Sequence, residues 1–362
     1  MKISSVRRRA ALVAALGSVL AAGAIGTASA QQTVNLTLAS SHPVTWGPAG
    51  LMAKYFKPEV DRLLAEGGGK YKINWKEAYG GTLFKFNDTM EAVRDGIADI
   101  AFVGSVWEPD TMPLSNVTYY APFVSGDLGL VTRVMDKMVR DNPALRKEWE
   151  ANNLKYLGAV GTETYHVWSK TPITRFEDLR GKRFNAPPSN LQWLRNTGAV
   201  GVDGGLPAYY SNIQSGVVDG ALSMYSGVGP FRLHEVAGYI AEVDVGAIFA
   251  GGLAVTLSRF NRLPQEVQTA LVKAGEGYTQ EVVRQTNELA VSTRGATTKA
   301  GSRIVQFSEA DRLKWAESLP DLPNEWIKAQ EAKKLPGAEV MRAYLSEMRQ
   351  AGVKPLRDWN VR

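Results

Sequence analysis

Two stretches of this chain, 120 residues apart, follow one plan. The first runs Glu91-Ala92-Val93-Arg94-Asp95-Gly96-Ile97-Ala98-Asp99-Ile100-Ala101, and the second Ser211-Asn212-Ile213-Gln214-Ser215-Gly216-Val217-Val218-Asp219-Gly220-Ala221. Each reads as the end of a helix, a glycine able to take the left-handed C-cap, two apolar or small residues, an aspartate and a buried strand. Helix–glycine–strand turns recur in many α/β proteins, so the echo by itself leaves common lobe design open. It favours two similar lobes over one long sheet.

The surrounding pattern agrees. Val34, Leu36 and Leu38 alternate with polar residues, predicting a strand over 32–39 that runs into Ser40-Ser41-His42-Pro43. Leu51, Met52, Tyr55, Phe56, Val60, Leu63 and Leu64 recur at helical spacing and are closed by Gly67-Gly68-Gly69. Further strands are expected over 71–75, 100–103, 156–160, 165–168 and 183–186, with helices over 86–95, 131–152, 176–180 and 190–197. This alternation indicates α/β lobes with largely parallel sheets. After Leu263-Pro264 the helical spacing runs through Val267, Leu271, Ala274, Tyr278, Val282 and Leu289 without a proline. Such a helix is long for one lobe and could brace two. A strand at 304–307, a capping-box-like Ser308-Glu309-Ala310-Asp311 and helices near Glu325 and Ala338 finish the chain.

The N-terminus reads as an export signal. Lys2, Arg7, Arg8 and Arg9 precede a charge-free stretch from Ala10, and Ala28-Ser29-Ala30 supplies a small-residue cleavage pattern. A membrane anchor is the alternative, but Gly17, Ser18, Gly23 and Gly26 break the stretch and it ends in a processing site. Cleavage after Ala30 into the periplasm is therefore expected. It would remove four of the 42 basic residues and none of the 36 acidic ones, lowering the net charge from +6 to about +2. The remaining charges are interspersed, which argues against a nucleic-acid partner.

Chemistry is conspicuous by what is missing. The chain has no cysteine and three histidines, His42, His166 and His234. Thiol catalysis, disulfides and Cys-ligated metals are excluded, and a histidine-rich metal site has little material. No phosphate loop, dinucleotide fingerprint, zinc helix or nucleophile elbow appears. Asp95 and Asp99 are explained by solvation of a helix end. No catalytic residue, metal or cofactor is expected. The positive signal is aromatic: Trp46, Trp107, Tyr165, Trp168, Trp193, Tyr209, Tyr210, Tyr225 and Phe249 fall at expected loops and strand ends. In an α/β sheet those ends gather around a ligand, although core packing is the competing role for each ring.

The order of short motifs resembles the DctP-type solute-binding proteins of TRAP (tripartite ATP-independent periplasmic) transporters, over most of the chain beyond residue 30. Its carriers are Leu38-Ala39 with His42-Pro43; Ala78-Tyr79-Gly80-Gly81; Glu91-Ala92-Val93 with Gly96 and Asp99; Pro172-Ile173 with Glu177-Asp178-Leu179-Arg180-Gly181-Lys182; Tyr210 with Gln214-Ser215-Gly216-Val217-Val218-Asp219-Gly220; and Leu263-Pro264-Gln265-Glu266-Val267-Gln268. The resemblance implies a two-lobed periplasmic-binding-protein fold, type II-like, with hinge strands and a long bracing helix. Lobe one would span 31–160 with part of 250–290, and lobe two 161–250, with 291–362 packing on it or across both. It also implies a monomeric soluble subunit that captures a small organic acid and delivers it to the small and large membrane subunits of the transporter. A sensor presenting its solute to a receptor, or an exported enzyme acting on a small acid, are the alternatives.

The family's carboxylate-binding arginine falls here on Asn185, and a second family arginine aligns with Tyr165. Neither can supply a bidentate charge. Arg183 shares a strand face with Asn185 and could substitute from one step away, or could be a solvated strand end beside Lys182. A family asparagine falls near Val245 or Gly246. The candidate ligand-binding set is Asn185, Tyr165, Trp46, His42, Trp107, Gly81, Arg183, Tyr210, Met224, Tyr225 and Phe249. A ligand held by neutral donors between flat walls, with an aromatic or otherwise apolar body, follows from these departures.

Overall fold

A computed structural model describes residues 31–361; the export segment expected over residues 1–30 lies outside the described residues. Two separate sheets form. The first contains β1 (Gln32–Ala39), β2 (Tyr71–Ala78), β3 (Ile100–Val103), β4 (Leu154–Thr162) and β10 (Ile248–Thr256), in the order β2-β1-β3-β10-β4. The second contains β5 (His166–Ser169), β6 (Arg183–Ala186), β7 (Val200–Asp203), β8 (Gly220–Ser223), β9 (Tyr239–Glu242) and β11 (Arg303–Gln306), in the order β11-β9-β5-β8-β6-β7. The sheets are mixed rather than largely parallel. β10 runs antiparallel to both β3 and β4, and β5 antiparallel to both β8 and β9. These are the strands that receive the chain as it crosses between sheets, so they enter each sheet from the opposite end.

The sequence echo corresponds to one structural unit built twice. Gly96 and Gly216 adopt φ 77° and 79° after the helices Thr89–Arg94 and Leu206–Gln214. Seven residues are closed by Ala98 N–H to the Ala92 carbonyl in one copy and Val218 N–H to the Asn212 carbonyl in the other. The aspartates then pin the neighbouring strand. Asp99 accepts from Thr37 N–H at 2.7 Å and donates its own N–H to the Thr37 carbonyl. Asp219 does the same with Arg183, at 2.8 Å. Asp99 is thus a strand clamp, not a solvated helix end.

Several helices differ from their spacing for local reasons. Pro58 cannot donate a backbone hydrogen bond, and the turn before it widens to a π-helical Met52–Phe56 between the α-helices Gly47–Leu51 and Lys57–Glu66. The helical run expected over 131–152 is split into Leu128–Asp141 and Pro143–Ala151. Asn142 ends the first and caps the second by accepting from Ala144 and Leu145 N–H. The segment at 190–197 is a 3₁₀ turn, Pro188–Leu194. Ser308 caps the helix Glu309–Ser318 through Asp311 N–H as the capping pattern suggests.

The helix Gln265–Lys299 is the brace. Val267, Leu271, Ala274, Tyr278 and Val282 bury against Leu36, Leu38, Leu157, Val160 and Leu253 of the first sheet. Glycines let it approach β4 closely: a Cβ on Gly158 would lie 2.2 Å from the Gly275 carbonyl oxygen, and one on Gly275 2.3 Å from the Leu157 carbonyl oxygen. Thr279 Oγ1 accepts from Ala159 N–H at 2.8 Å across the same seam. Farther along, Arg294 reaches the second sheet and donates to Glu242 at 2.6 Å. Burial alone would raise the Glu242 carboxyl, but hydrogen bonds from Arg294, Tyr225 and Gln306 outweigh it and hold it at about 2.

Two further crossings, residues 163–165 and 243–247, join the sheets and touch each other: Val245 N–H donates to the Tyr165 carbonyl and Gly246 N–H to Thr164 Oγ1. Glu163 accepts from the backbone N–H and hydroxyl of Ser226, while burial pushes its carboxyl up to about 6. Behind the crossings, Arg312 donates to the Val243 carbonyl, and the helix Gly337–Gln350 packs on Leu128–Asp141. Gly158→Ala should lower stability by about 2 kcal/mol or more in urea unfolding, because backbone on the facing helix must shift. A change under about 0.5 kcal/mol would show that the seam is looser than described.

Candidate functional site

The carboxyl ends of β1, β3, β4, β6 and β8 converge between the two sheets, where the rule for α/β sheets places a ligand. There His42, Trp46, Phe102, Trp107, Tyr119 and Thr162 face Tyr165, Pro187, Leu206, Tyr209, Ser223 and Met224 around an enclosed cavity of about 40 Å³. No lysine, arginine, aspartate or glutamate is among its lining residues. A groove of about 620 Å³ shares Trp46, Thr162 and Met224 with it and extends along Gln285, Leu289 and Ser292 of the brace. A chamber of about 210 Å³ shares His42, Phe102 and Trp107 on the other side and ends at Glu91 and Glu108. The large groove carries exposed helix residues, so the enclosed aromatic cavity between these two spaces is the better candidate for recognition.

Its walls are fixed from below. Gly80 N–H donates to the His42 carbonyl and Gly81 N–H to the Ser40 carbonyl. Both glycines have positive φ, 68° and 73°. Gly81 therefore shapes the loop that carries His42 rather than lining the cavity. The His42 ring stacks on Trp46 at 4.2 Å between centroids and lies 5.2 Å from Phe86 and 5.8 Å from Trp107. Burial among these rings pulls His42 down to about 4, so it is a neutral imidazole across the physiological range. Behind the lining, Trp193 is a pedestal shared by both walls: Tyr119 stacks on it at 6.0 Å and Tyr165 meets it edge-on at 5.3 Å. Its indole N–H donates to the Tyr119 carbonyl at 2.7 Å.

Of the candidate ligand-binding set, His42, Trp46, Trp107, Tyr165 and Met224 come together on this cavity, joined by Tyr209 from the wider aromatic pattern. The others lie elsewhere. Asn185 is fully buried, donating to the Val202 carbonyl and accepting from Asn212. Arg183 sits at the exposed start of β6, where its guanidinium donates to Asp219 and to the Gly216 carbonyl. It stands three residues before Ala186, the strand end nearest the cavity, and its guanidinium is engaged by Asp219 and Gly216. Tyr210 donates to Glu235 on the surface, and Tyr225 donates to Glu242 beside the brace. Phe249 is fully buried, its N–H on Thr118 Oγ1. Tyr119 and Thr162 were not legible as site residues. Tyr119 lies in a 3₁₀ stretch, Leu114–Tyr120, without amphipathic period, and Thr162 is the last residue of an almost wholly buried strand.

The family profile of DctP, described as bacterial extracellular solute-binding protein, family 7, matches residues 46–330. A curated solute-binding protein of Albidiferax ferrireducens is 21% identical over 280 residues, 74% of this chain and 77% of the relative. Two solved structures share the fold. A marine-metagenome TRAP solute-binding protein specific for aromatic acid ligands, in complex with 3-hydroxybenzoate, superposes with TM-score 0.76 at 20% identity, covering 88% of this chain and 99% of its own. A Rhodoferax ferrireducens TRAP solute-binding protein in complex with copurified benzoate gives 0.75 at 17% identity, covering 88% and 98%.

The state of His42 is directly measurable. Its neutral form is favoured in the folded chain, so its contribution to stability is present above 6.5 and is lost as the pH falls toward about 4. His42→Phe should flatten that part of the melting-temperature profile, and the His42 ring resonances should titrate near pH 4. A midpoint near 6.5 would contradict the enclosed environment.

Proposed function

The chain belongs to the DctP family of bacterial extracellular solute-binding proteins, and from that premise we propose that it is the periplasmic capture subunit of a TRAP-type secondary transporter whose solute is a small organic acid with a flat, aromatic body. It is a binding protein and not an enzyme. The observation that carries the reading is the cavity itself: six aromatic rings and a neutral imidazole, with no cation among the lining residues. A sugar acid or a dicarboxylate presents polar groups around its whole edge and would leave them unpaired against these walls. A planar apolar body gains by offset and edge-on ring contact instead. The relatives that hold 3-hydroxybenzoate and benzoate lend support.

Capture requires the lobes to part. A cavity of about 40 Å³ is well below the roughly 150 Å³ of an engineered cavity that takes benzene. Opening at residues 163–165 and 243–247 would separate Trp46 and Trp107 from Tyr165 and Met224, and the ligand would favour closure because only the closed form offers it both walls. The small and large membrane subunits then recognise the closed surface. In this reading residues 1–30 direct export, the mature chain starts at Gln31, and the protein acts as a soluble monomer.

A thermal-shift screen tests the ligand class. Aromatic monocarboxylates should raise the melting temperature, with about 2.7 kcal/mol added at a hundredfold excess over Kd. Stabilisation by dicarboxylates or sialic-acid-like sugars, with none from aromatic acids, would refute it. X-ray scattering should show a smaller radius of gyration with ligand, and an unchanged radius would refute closure.

A further inference from the structure

Three polar groups on the wall of the enclosed cavity have no hydrogen-bond partner: the hydroxyls of Tyr119 and Thr162 and the indole N–H of Trp107. Buried polar groups are ordinarily satisfied, and each exception needs a reason, of which a bound ligand, water or ion is one. Tyr119 is 0% and Thr162 7% exposed, so neither hydroxyl is an ordinary surface group waiting for bulk water. They come from separate elements, a 3₁₀ stretch, the end of β4 and the turn after β3, and meet only at this cavity. Tyr165 stands beside Thr162 and Asn190, whose polar side chains partly offset the rise that burial imposes on its hydroxyl.

We propose that Tyr119, Thr162 and Trp107 form a charge-free receptor for the ligand's carboxylate, taking the place of the guanidinium that Asn185 and Arg183 do not provide. The indole can only donate, and a hydroxyl donates readily to an anion, so the set fits an acceptor-rich group and not an ammonium. A carboxylate has two oxygens and accepts several hydrogen bonds, and neutral donors can hold it in its charged form when enough of them converge. Tyr119 is the fixed member. Its ring lies against Trp193 and its carbonyl takes the Trp193 indole N–H, so its position is set before the ligand arrives. The assignment rests on the organic-acid reading above.

The structure separates a ligand-binding hydroxyl from a structural one by the sign of two effects. Tyr119→Phe deletes an oxygen that has no partner in the free protein, so the ligand-free melting temperature should hold or rise. The same change should weaken benzoate or 3-hydroxybenzoate binding by roughly tenfold or more in calorimetric titration, the loss expected when a donor to a charged group is removed. Thr162→Val is the second variant and should behave alike. Unchanged affinity in both variants would overturn the receptor, and so would a fall in melting temperature in both that accompanies the lost affinity. A wild-type protein that binds neither acid would overturn the ligand class first, and the receptor with it.

Discussion

The position of the brace depends on two glycines that allow backbone to meet backbone. Gly158 on β4 and Gly275 on the long helix leave no room for even a methyl group between them. Close approach at that point fixes the height and rotation of the helix over the first sheet. The apolar row from Val267 to Val282 can then bury, and Arg294 is delivered to Glu242 on the second sheet. β4 is under the same constraint on its other face, where a Cβ on Gly161 would lie 2.2 Å from Thr132 Oγ1. The strand that leads into one interlobe crossing is thus held between two helices.

The ligand space is organised by duplication. Each lobe places a left-handed glycine after a helix and then locks an aspartate onto the adjacent parallel strand, Asp99 onto Thr37 and Asp219 onto Arg183. The clamp fixes the register of the strands whose far ends hold the cavity. In the second lobe it also occupies Arg183, whose guanidinium is drawn toward Asp219. One architectural device therefore accounts both for the similarity of the lobes and for the neutrality of the site.

Much of this was legible in the sequence where a signal is local. The duplicated glycine and aspartate, the long helix and the Ser308 cap rest on short-range chemistry, and residue order was enough. Sheet direction was not, because β5 and β10 are turned around by the crossings between lobes, a tertiary fact with no local signature. The aromatic walls were half legible. His42, Trp46 and Trp107 follow strand ends, whereas Tyr225 and Phe249 look the same in sequence and are consumed by Glu242 and by the core. Tyr119 and Thr162 could not be found at all, since what distinguishes them is the absence of a partner, a property of three-dimensional surroundings.

A recognition cavity with no formal charge in its lining adds no pull of its own on a passing anion, and long-range attraction is left to the charges on the rest of the protein. Close in, selection rests on hydrogen bonds and ring contacts, which salt screens far less than it screens an exposed charge pair. Encounter with solute is then governed by diffusion and by how often the two lobes stand apart. In the role proposed above, affinity would depend less on ionic strength than it does at a site built around an arginine.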